Sequence, residues 1–402
     1  MVIIGPGILV AATGVGAGDL ATAGFTGAKL GVAVAWAVLL GAFLKFVLNE
    51  GLARYQLATG QTLLEGATLR LGRPVQYIFA AYLLAWSYFV GSALISACGV
   101  AGHALLPIFD EPVHGKQVFG IAHSMLALGM VWVGGFRWFS RIMSVCIAVM
   151  FVTVIATAAA LGPDLAALGR GLAVPVVPAT EGSVGWTIAL MGGVGGTLTV
   201  LCYGYWIREA GRENETYIRT CRIDLLVAYV FTALFGVAML VVGQAVQIEG
   251  SGAGLIVQIG DVLRERLGDT ARWAFLIGAW GALFSSLLGV LQSVPYVFAD
   301  FAALVRHGDA RPAEVNTRSP AYRGYLVALA VVPLYALFGS FERVQMVYSV
   351  FGAFFMPLLA IALLLLNGRR EWVGEHVNRP ITVVILIATT IFFTILGGNE
   401  ET

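Results

Sequence analysis

The architecture of this chain follows from residues 12–20, Ala12-Thr13-Gly14-Val15-Gly16-Ala17-Gly18-Asp19-Leu20, which lie well inside the first apolar segment. Three glycines fall within five residues, and each costs a helix about 1 kcal/mol relative to alanine. We therefore expect the first helix to be interrupted here. Interrupted backbone at membrane depth occurs only where protein or a water-filled cavity satisfies its N–H and C=O groups. The stretch is therefore the leading candidate for a transport site, and the carboxylate of Asp19, the first charged residue of the chain, strengthens that hypothesis.

Composition places the chain among the all-α polytopic membrane proteins. Its 402 residues are 59% hydrophobic and 12% charged, the mean hydropathy is +0.86, and apolar runs long enough to cross a bilayer recur along the chain. A net charge of +1 leaves no basic face for nucleic acid. Because the sequence has no Walker A or GxSxG motif and no large soluble segment, we expect neither an enzyme nor a bound cofactor.

About eleven transmembrane spans can be drawn, and the first and sixth contain glycine-rich interruptions. If the N-terminus is cytoplasmic, the loops on that side carry more Arg and Lys than the opposite loops, as the positive-inside rule requires. We therefore expect an integral protein of the bacterial inner (plasma) membrane, with the N-terminus cytoplasmic and the C-terminus outside. The oligomeric state stays open. The spans are residues 3–28, 31–52, 76–107, 117–135, 139–161, 184–207, 223–246, 272–302, 322–339, 343–366 and 380–397.

The second interruption, Gly193-Val194-Gly195-Gly196-Thr197, lies five spans after the first. An odd offset inserts the two halves with opposite orientation, and paired interruptions of this kind are typical of inverted-repeat transporters with a site at the midplane. Close helix packing by small residues is the alternative explanation. We predict one transporter domain over 1–402, with a first repeat over 3–161, a second over 184–366 and an additional helix over 380–397.

Motifs of the first span resemble those of a known family. Gly5-Pro6-Gly7-Ile8-Leu9 is followed by Gly16-Ala17-Gly18-Asp19-Leu20-Ala21-Thr22 and Gly27-Ala28-Lys29-Leu30-Gly31. This pattern resembles the first helix of the natural resistance-associated macrophage protein (NRAMP) metal-ion transporters. The resemblance implies a LeuT-type 5+5 inverted repeat, with helices 1 and 6 broken and alternating access. In that family an Asp and an Asn of the first helix and a Met of the sixth hold a transition-metal ion.

This chain departs from the family at the metal site. The family's Asp, Pro and Asn columns fall on Gly16, Ala17 and Asp19, and residues 197–205 contain no Met, Pro or His. Thioether ligation, which suits late transition metals, is therefore missing unless Cys202 replaces it. Half-helix ends freed of side chains by glycine present N–H groups that suit an anion. We therefore expect secondary active transport of a small anion, of the bicarbonate or small-carboxylate type, coupled to Na⁺.

Two sets of residues are predicted to form the site. The coupling-ion or metal ligands are Asp19, Ser285 and Ser286, with helix capping by the carboxylate and bonding of the serines to their own helix as alternative roles. The alternative function is transport of a divalent metal ion, Mg²⁺ or Mn²⁺, on Asp19, and a second alternative is an ion channel. Lys45 in span 2 is expected to snorkel towards the cytoplasmic interface. The predicted substrate-binding residues are Gly14, Gly16, Ala17, Gly18, Gly195, Gly196, Thr197 and Thr199.

Overall fold

The computed structural model describes residues 5–133, 136–246, 255–308 and 315–398. These residues form helices joined by short connections, with no β-strand among them. By length and composition, nine of the described helices can cross a membrane, or ten if the bent pair Arg370–His376 and Pro380–Thr394 forms one span. The all-α membrane architecture predicted from composition is confirmed.

The helices follow one another along the chain with few residues between them. The first half contains α1 (Pro6–Gly14), α2 (Ala23–Leu30), α3 (Ala35–Thr59), α4 (Leu63–Arg70), α5 (Arg73–Leu105), α6 (Pro112–Val133), α7 (Phe136–Ala160) and α8 (Leu165–Ala173). The second half contains α9 (Ser183–Gly193), α10 (Cys202–Glu209), α11 (Ile218–Gln244), α12 (Leu255–Leu267), α13 (Asp269–His307), α14 (Pro320–Val331), α15 (Phe341–Ala353), α16 (Phe355–Leu366), α17 (Arg370–Val373) and α18 (Pro380–Gly398).

Helix 1 is interrupted at the predicted glycines, but not by unwound chain. α1 continues into a π-helical segment, Val15–Thr22, which continues into α2. A π-helix closes wider turns through i→i+5 hydrogen bonds and is frequent at functional sites. The i→i+5 hydrogen bonds engage backbone N–H groups. A π-helical interruption therefore leaves fewer N–H groups free to bind a substrate than the predicted unwound segment would leave.

The end of helix 1 explains the difference between the counts of spans. A continuous helical run, Gly18–Thr59, joins the second part of helix 1 to α3. The sequence prediction divided this run at Gly31, where φ is 63°. Residues with a side chain rarely adopt this backbone conformation, so glycine permits the departure from helical geometry between α2 and α3. Length and composition alone count the run Gly18–Thr59 as one span, whereas the sequence prediction counts it as two.

Helix 6 is broken as predicted. α9 ends at Gly193, the chain is extended at Val194 (φ −55°, ψ 126°), and Gly195 and Gly196 have φ values of 74° and 87°. Left-handed backbone of this kind is the conformation that glycine adopts without steric cost. A 3₁₀ turn, Leu198–Leu201, then leads into α10. Two half-helices thus meet at an extended link in the middle of the molecule.

A short helix outside the spans packs beside the start of α3. α8 is capped by Asp164, whose carboxylate accepts hydrogen bonds from the N–H groups of Ala166 at 2.9 Å and Ala167 at 3.0 Å. The bonds from Ala167 and Ala166 favour the ionised form and hold the pKa of the Asp164 carboxyl below its usual value. This capping fixes where α8 begins, and the helix then contacts the 3₁₀ turn Gly31–Val34.

Candidate functional site

Helices 1 and 6 contact each other backbone to backbone. A Cβ atom at Gly14 would lie 2.3 Å from the amide nitrogen of Gly196, and one at Gly18 would lie 2.0 Å from the carbonyl oxygen of Gly193. No side chain fits at either distance. At Gly14, Gly18 and Gly196 the structure brings the two interrupted helices together, and the predicted role of these glycines in substrate binding stays a prediction.

Gly16 and the serine pair join helix 1 to α13. The Gly16 N–H donates to the Ser286 hydroxyl at 2.8 Å, and that hydroxyl donates to the carbonyl oxygen of Ala12 at 2.9 Å. Ser285 donates at 2.9 Å to a carbonyl of its own helix. Both hydroxyls are thus engaged in contacts that do not include the Asp19 carboxylate. The Na⁺ site composed of Asp19 and the two serines stays a prediction.

Asp19 is the buried charge at the contact of the two helices. Its side chain is 0% exposed, and its Oδ2 atom accepts a hydrogen bond from the Gly195 N–H at 3.3 Å. Its Oδ1 atom has no hydrogen-bond partner within the described chain, and a Cβ atom at Gly236 of α11 would lie 3.6 Å from it. An ionised oxygen buried without a partner is unfavourable unless a cation or a proton accompanies it. Asp19 is therefore the strongest candidate ligand for a cation.

Lys45 was expected at the membrane interface, and this expectation is wrong. The side chain is 2% exposed and points inward from α3, where its Nζ atom donates to the carbonyl oxygen of Gly192 at 2.6 Å and to that of Val194. The reason is the break in helix 6, which leaves the last carbonyls of α9 without partners in their own helix. These carbonyls form the negative end of the α9 dipole, which attracts an ammonium group.

The site therefore contains one acidic and one basic side chain, and each is bound to the break in helix 6. The carboxylate of Asp19 accepts from the N–H of Gly195, while the ammonium of Lys45 is held by the carbonyls of Gly192 and Val194. The two charges attract each other. Gly195 was predicted to offer its N–H group to an anionic substrate, but in this state that N–H is bound to a carboxylate of the protein itself.

The two predicted threonines lie on the far side of the break and are buried. Thr197 accepts a hydrogen bond from the Trp86 indole N–H at 2.8 Å. Thr199 lies beside the left-handed backbone, because a Cβ atom at Gly196 would lie 2.8 Å from its hydroxyl oxygen. Both hydroxyls are thus near the interruption, as predicted, and both supply oxygen atoms of the kind a hard cation takes as ligands.

Two further predicted positions add no ligand. The side chain of Ala17 lies outside the described part of the structure. Cys202, considered as a replacement for the missing thioether, is buried in α10 and is hydrogen-bonded to Ser293 of α13. No group of three or more His, Cys, Asp or Glu side chains that could hold a metal ion is found within the described residues.

Sequence reasoning missed the contribution of α15. Thr22 of the π-helical segment is hydrogen-bonded to Ser349 at 2.6 Å and accepts from the Gln345 amide at 2.8 Å. All three side chains are buried. Neither Gln345 nor Ser349 belongs to a motif, so only a search for polar residues within apolar spans would have selected them. These contacts attach α15 to helix 1 one turn from Asp19.

Asp19 is closed off from the cytoplasmic side of the predicted topology. A cavity of about 820 Å³ opens there, lined by residues that include Gln56 and Tyr205. Two of these lining side chains are hydrogen-bonded to neighbouring helices: Tyr205 donates to Asp300 at 2.6 Å, and Gln56 donates to the carbonyl oxygen of Gly204 at 2.6 Å. Because Asp19 has no exposed surface, an ion reaches it only after the helices move.

A polar network holds the start of helix 1 in place. Asp224 of α11 accepts hydrogen bonds from the Gly7 N–H at 2.9 Å, the Tyr203 hydroxyl at 3.2 Å and the Arg212 guanidinium at 3.0 Å. A carboxylate at a helix N-terminus complements the helix dipole. Burial lowers the pKa of Arg212, but its hydrogen bonds to Cys221 and Asp224 outweigh this and hold the pKa above its usual value. The network joins the start of α1 to α10 and α11.

Comparison with known proteins agrees with this architecture. The divalent metal cation transporter MntH of Chromohalobacter salexigens is 24% identical over 433 residues, which cover 98% of this chain and 92% of that protein. An uncharacterised protein of Pasteurella multocida is 25% identical over 329 residues, covering 78% of this chain and 73% of that protein.

Solved structures show the same fold. A mutant of the Eremococcus coleocola manganese transporter superposes with a TM-score of 0.73 at 16% identity, covering 98% of this chain and 84% of that chain. MhsT in complex with L-phenylalanine superposes with a TM-score of 0.61 at 17% identity, covering 97% and 96%. These likenesses establish the LeuT-type fold with an interrupted helix 1 and helix 6. The model of the family described as natural resistance-associated macrophage protein-like matches residues 7–399, and the chain belongs to this family of membrane transporters.

Proposed function

We propose that this chain is a secondary active transporter that carries a divalent metal cation, Mg²⁺ or Mn²⁺, by alternating access. The observation that supports this most is the Asp19 carboxylate, which is fully buried between the interrupted helices and has one oxygen without a hydrogen-bond partner in the described chain. Relatives along nearly the whole chain are named divalent metal cation transporters. The anion expected from the sequence becomes the second candidate.

The chemistry of the site favours a hard cation over a soft one. The nearby donors are the Asp19 carboxylate, backbone carbonyls at the helix 6 break and the hydroxyls of Thr197 and Thr199, and residues 192–205, from the break into α10, contain no methionine. Mg²⁺ is commonly bound through one or two carboxylates and keeps several of its waters. A single carboxylate is therefore compatible with a partly hydrated Mg²⁺, and Mn²⁺ also accepts oxygen ligands.

The closed state of the site supports the proposal of alternating access. The Tyr205–Asp300 hydrogen bond joins α10 to α13. The Asp224 network joins the start of α1, at Gly7, to α11. We propose that these contacts break when the site opens to the cytoplasm, and that the glycine contacts between helices 1 and 6 allow the two to move against each other. This proposal also includes Na⁺ as the coupling ion, the lipid bilayer as partner, and a cytoplasmic N-terminus with the C-terminus outside.

The second candidate is Na⁺-coupled transport of a small anion, and the buried Lys45 ammonium favours it. A positive side chain at the break in helix 6 attracts an anion, and the Asp19 carboxylate opposes it with a single negative charge. Against this candidate, the Gly195 N–H that would bind the anion is engaged by Asp19. The charge of the transported ion separates the two candidates.

Uptake into proteoliposomes tests the proposal. The purified chain is reconstituted, and influx of Mn²⁺, Mg²⁺ and labelled bicarbonate is measured with and without a Na⁺ gradient. We expect saturable influx of a divalent cation, accelerated by the same ion on the opposite side, as a carrier requires. Bicarbonate influx without divalent influx would replace the first candidate by the second. Flux at channel-like rates without trans-acceleration would contradict both.

A further inference from the structure

The environment of Lys45 resembles a cation-binding site in its donors. Two carbonyl oxygens at the end of α9 accept from its Nζ atom, that of Gly192 at 2.6 Å and that of Val194. An ammonium group has three N–H donors and no acceptor. It can therefore bind several oxygen atoms at once, as a small metal ion does. The buried Asp19 carboxylate, with its unpaired Oδ1 atom, supplies the negative charge.

Another buried side-chain oxygen belongs to the face of α3 that carries Lys45. Asn49 is one helical turn after Lys45 and is fully buried. Its amide nitrogen donates to the Tyr229 hydroxyl at 3.2 Å, while its Oδ1 atom has no hydrogen-bond partner within the described chain. Asp19 Oδ1 and Asn49 Oδ1 are two of several buried side-chain atoms in the described chain that lack a hydrogen-bond partner, and both are oxygen atoms of the kind that binds a hard cation.

The chain also contains a buried lysine that lacks these features. Lys116 of α6 is equally buried and donates at 2.7 Å to a single carbonyl oxygen, that of Gly339. Among the described residues no acidic side chain lies within ion-pair distance of either lysine, but the charge of Asp19 acts on Lys45, whereas only burial acts on Lys116. The comparison separates a lysine that merely caps a carbonyl from one that is held by two carbonyls beside a carboxylate.

We propose that the Lys45 ammonium is a tethered cation occupying a cation seat, formed by the Gly192 and Val194 carbonyls beside Asp19, and that it competes there with a free cation. The seat is then neutral overall, with one charge of each sign. A free cation enters at full affinity only when the ammonium leaves. The competition with the transported ion rests on the proposed function, whereas the seat itself does not.

Substitution of Lys45 tests the seat. Lys45→Met keeps the length of the side chain and removes its charge, and Lys116→Met is the matched control. The thermal unfolding midpoint of each full-length variant in detergent is measured against MgCl₂, MnCl₂, NaCl and choline chloride at constant ionic strength. We expect Lys45→Met to be stabilised saturably by an inorganic cation, by about 3 °C at a hundred times Kd. The original chain and Lys116→Met should show at least tenfold weaker apparent affinity. Equal responses of all three proteins would overturn the proposal.

A double variant covers the case in which Lys45→Met does not fold. Asp19→Asn combined with Lys45→Met removes both charges, so no uncompensated charge remains buried. We expect this variant to fold and to show no cation-dependent stabilisation. If the double variant is stabilised by cations as strongly as Lys45→Met, Asp19 is not part of the seat and the proposal fails. The same conclusion follows if Lys45→Met cannot be purified and cations stabilise the double variant.

The outcomes also separate this proposal from the proposed function. If Lys45→Met gains a cation response while the original chain carries neither Mg²⁺ nor Mn²⁺, the seat stands and divalent transport is wrong. If the original chain carries a divalent cation and Lys45→Met shows neither a cation response nor a lower KM, divalent transport stands and the tethered cation is wrong.

Discussion

Replacement of Gly18 by alanine perturbs the contact on which the site depends. A Cβ atom at this position would lie 2.0 Å from the carbonyl oxygen of Gly193. Gly18 is not among the glycines with positive φ, so alanine is compatible with its backbone conformation. The obstacle is therefore the opposing backbone alone, and the effect of Gly18→Ala reports the closeness of helices 1 and 6.

The size of the effect follows from this distance. Cβ atoms in proteins essentially never approach other atoms within 3.0 Å, so the two backbones must separate by about 1 Å. Overpacking a well-packed interior costs about 1–3 kcal/mol, and here the upper end applies because backbone cannot move aside as a side chain can. The helix propensity of alanine returns about 1 kcal/mol. Separation by 1 Å also lengthens the hydrogen bond between Asp19 and Gly195, which is already 3.3 Å.

The matched control lies six residues further along helix 1. A Cβ atom at Gly24 would lie 3.5 Å from Met239 and 3.6 Å from Leu255, which are ordinary contacts with side-chain ends. We expect Gly24→Ala to unfold at the same temperature as the original chain or slightly higher. Gly18→Ala should unfold about 2 °C lower and carry ions at least tenfold more slowly. Thermal unfolding in detergent and proteoliposome uptake measure the two effects. Equal stability and transport of the two variants would refute the backbone contact.

Two further substitutions test the contacts of helix 1. Ser286→Ala leaves the Gly16 N–H buried without its acceptor and should cost about 1–3 kcal/mol of stability, whereas Ser285→Ala removes only a bond within its own helix and should cost less. Thermal unfolding ranks the two variants, and equal losses would contradict the contact to Gly16. Asp224→Ala removes the acceptor at the start of helix 1, so the 1% exposed Cys221 beside it should react with a maleimide at least tenfold faster. Unchanged labelling would show that this network does not keep the site closed.

Most of the fold could be predicted from the sequence, because a cluster of glycines inside an apolar span indicates either a helix interruption or close helix packing. The break in helix 6 falls at Gly195 and Gly196, where the positive φ values explain the choice of residue. The form of the interruption in helix 1 could not be predicted. A π-helical segment and an unwound segment both follow from weak helix propensity, and only the contacts with Gly193 and Ser286 distinguish them.

The site could be predicted in part. Asp19 was selected because a carboxylate in an apolar span is a functional hypothesis by default, and the structure buries it at the contact of helices 1 and 6. Lys45 was assigned to the interface because snorkelling explains most lysines near a span end. Its partners, the carbonyls of Gly192 and Val194, exist only once helix 6 is broken and packed against α3, and this depends on tertiary structure. The roles of Ser285 and Ser286 likewise depend on which helix α13 faces.

Replacement of Asp19 by asparagine tests whether the buried carboxylate is the ligand of the transported ion. Asparagine has nearly the same size and retains an oxygen that accepts from the Gly195 N–H, and the Lys45 ammonium, which loses its counter-charge, keeps its two carbonyl acceptors. Initial uptake of Mg²⁺ and Mn²⁺ into proteoliposomes is compared between the original chain and Asp19→Asn. We expect divalent uptake to fall at least a hundredfold while the variant remains folded. Divalent uptake at the original rate and KM in Asp19→Asn would contradict a cation site at Asp19.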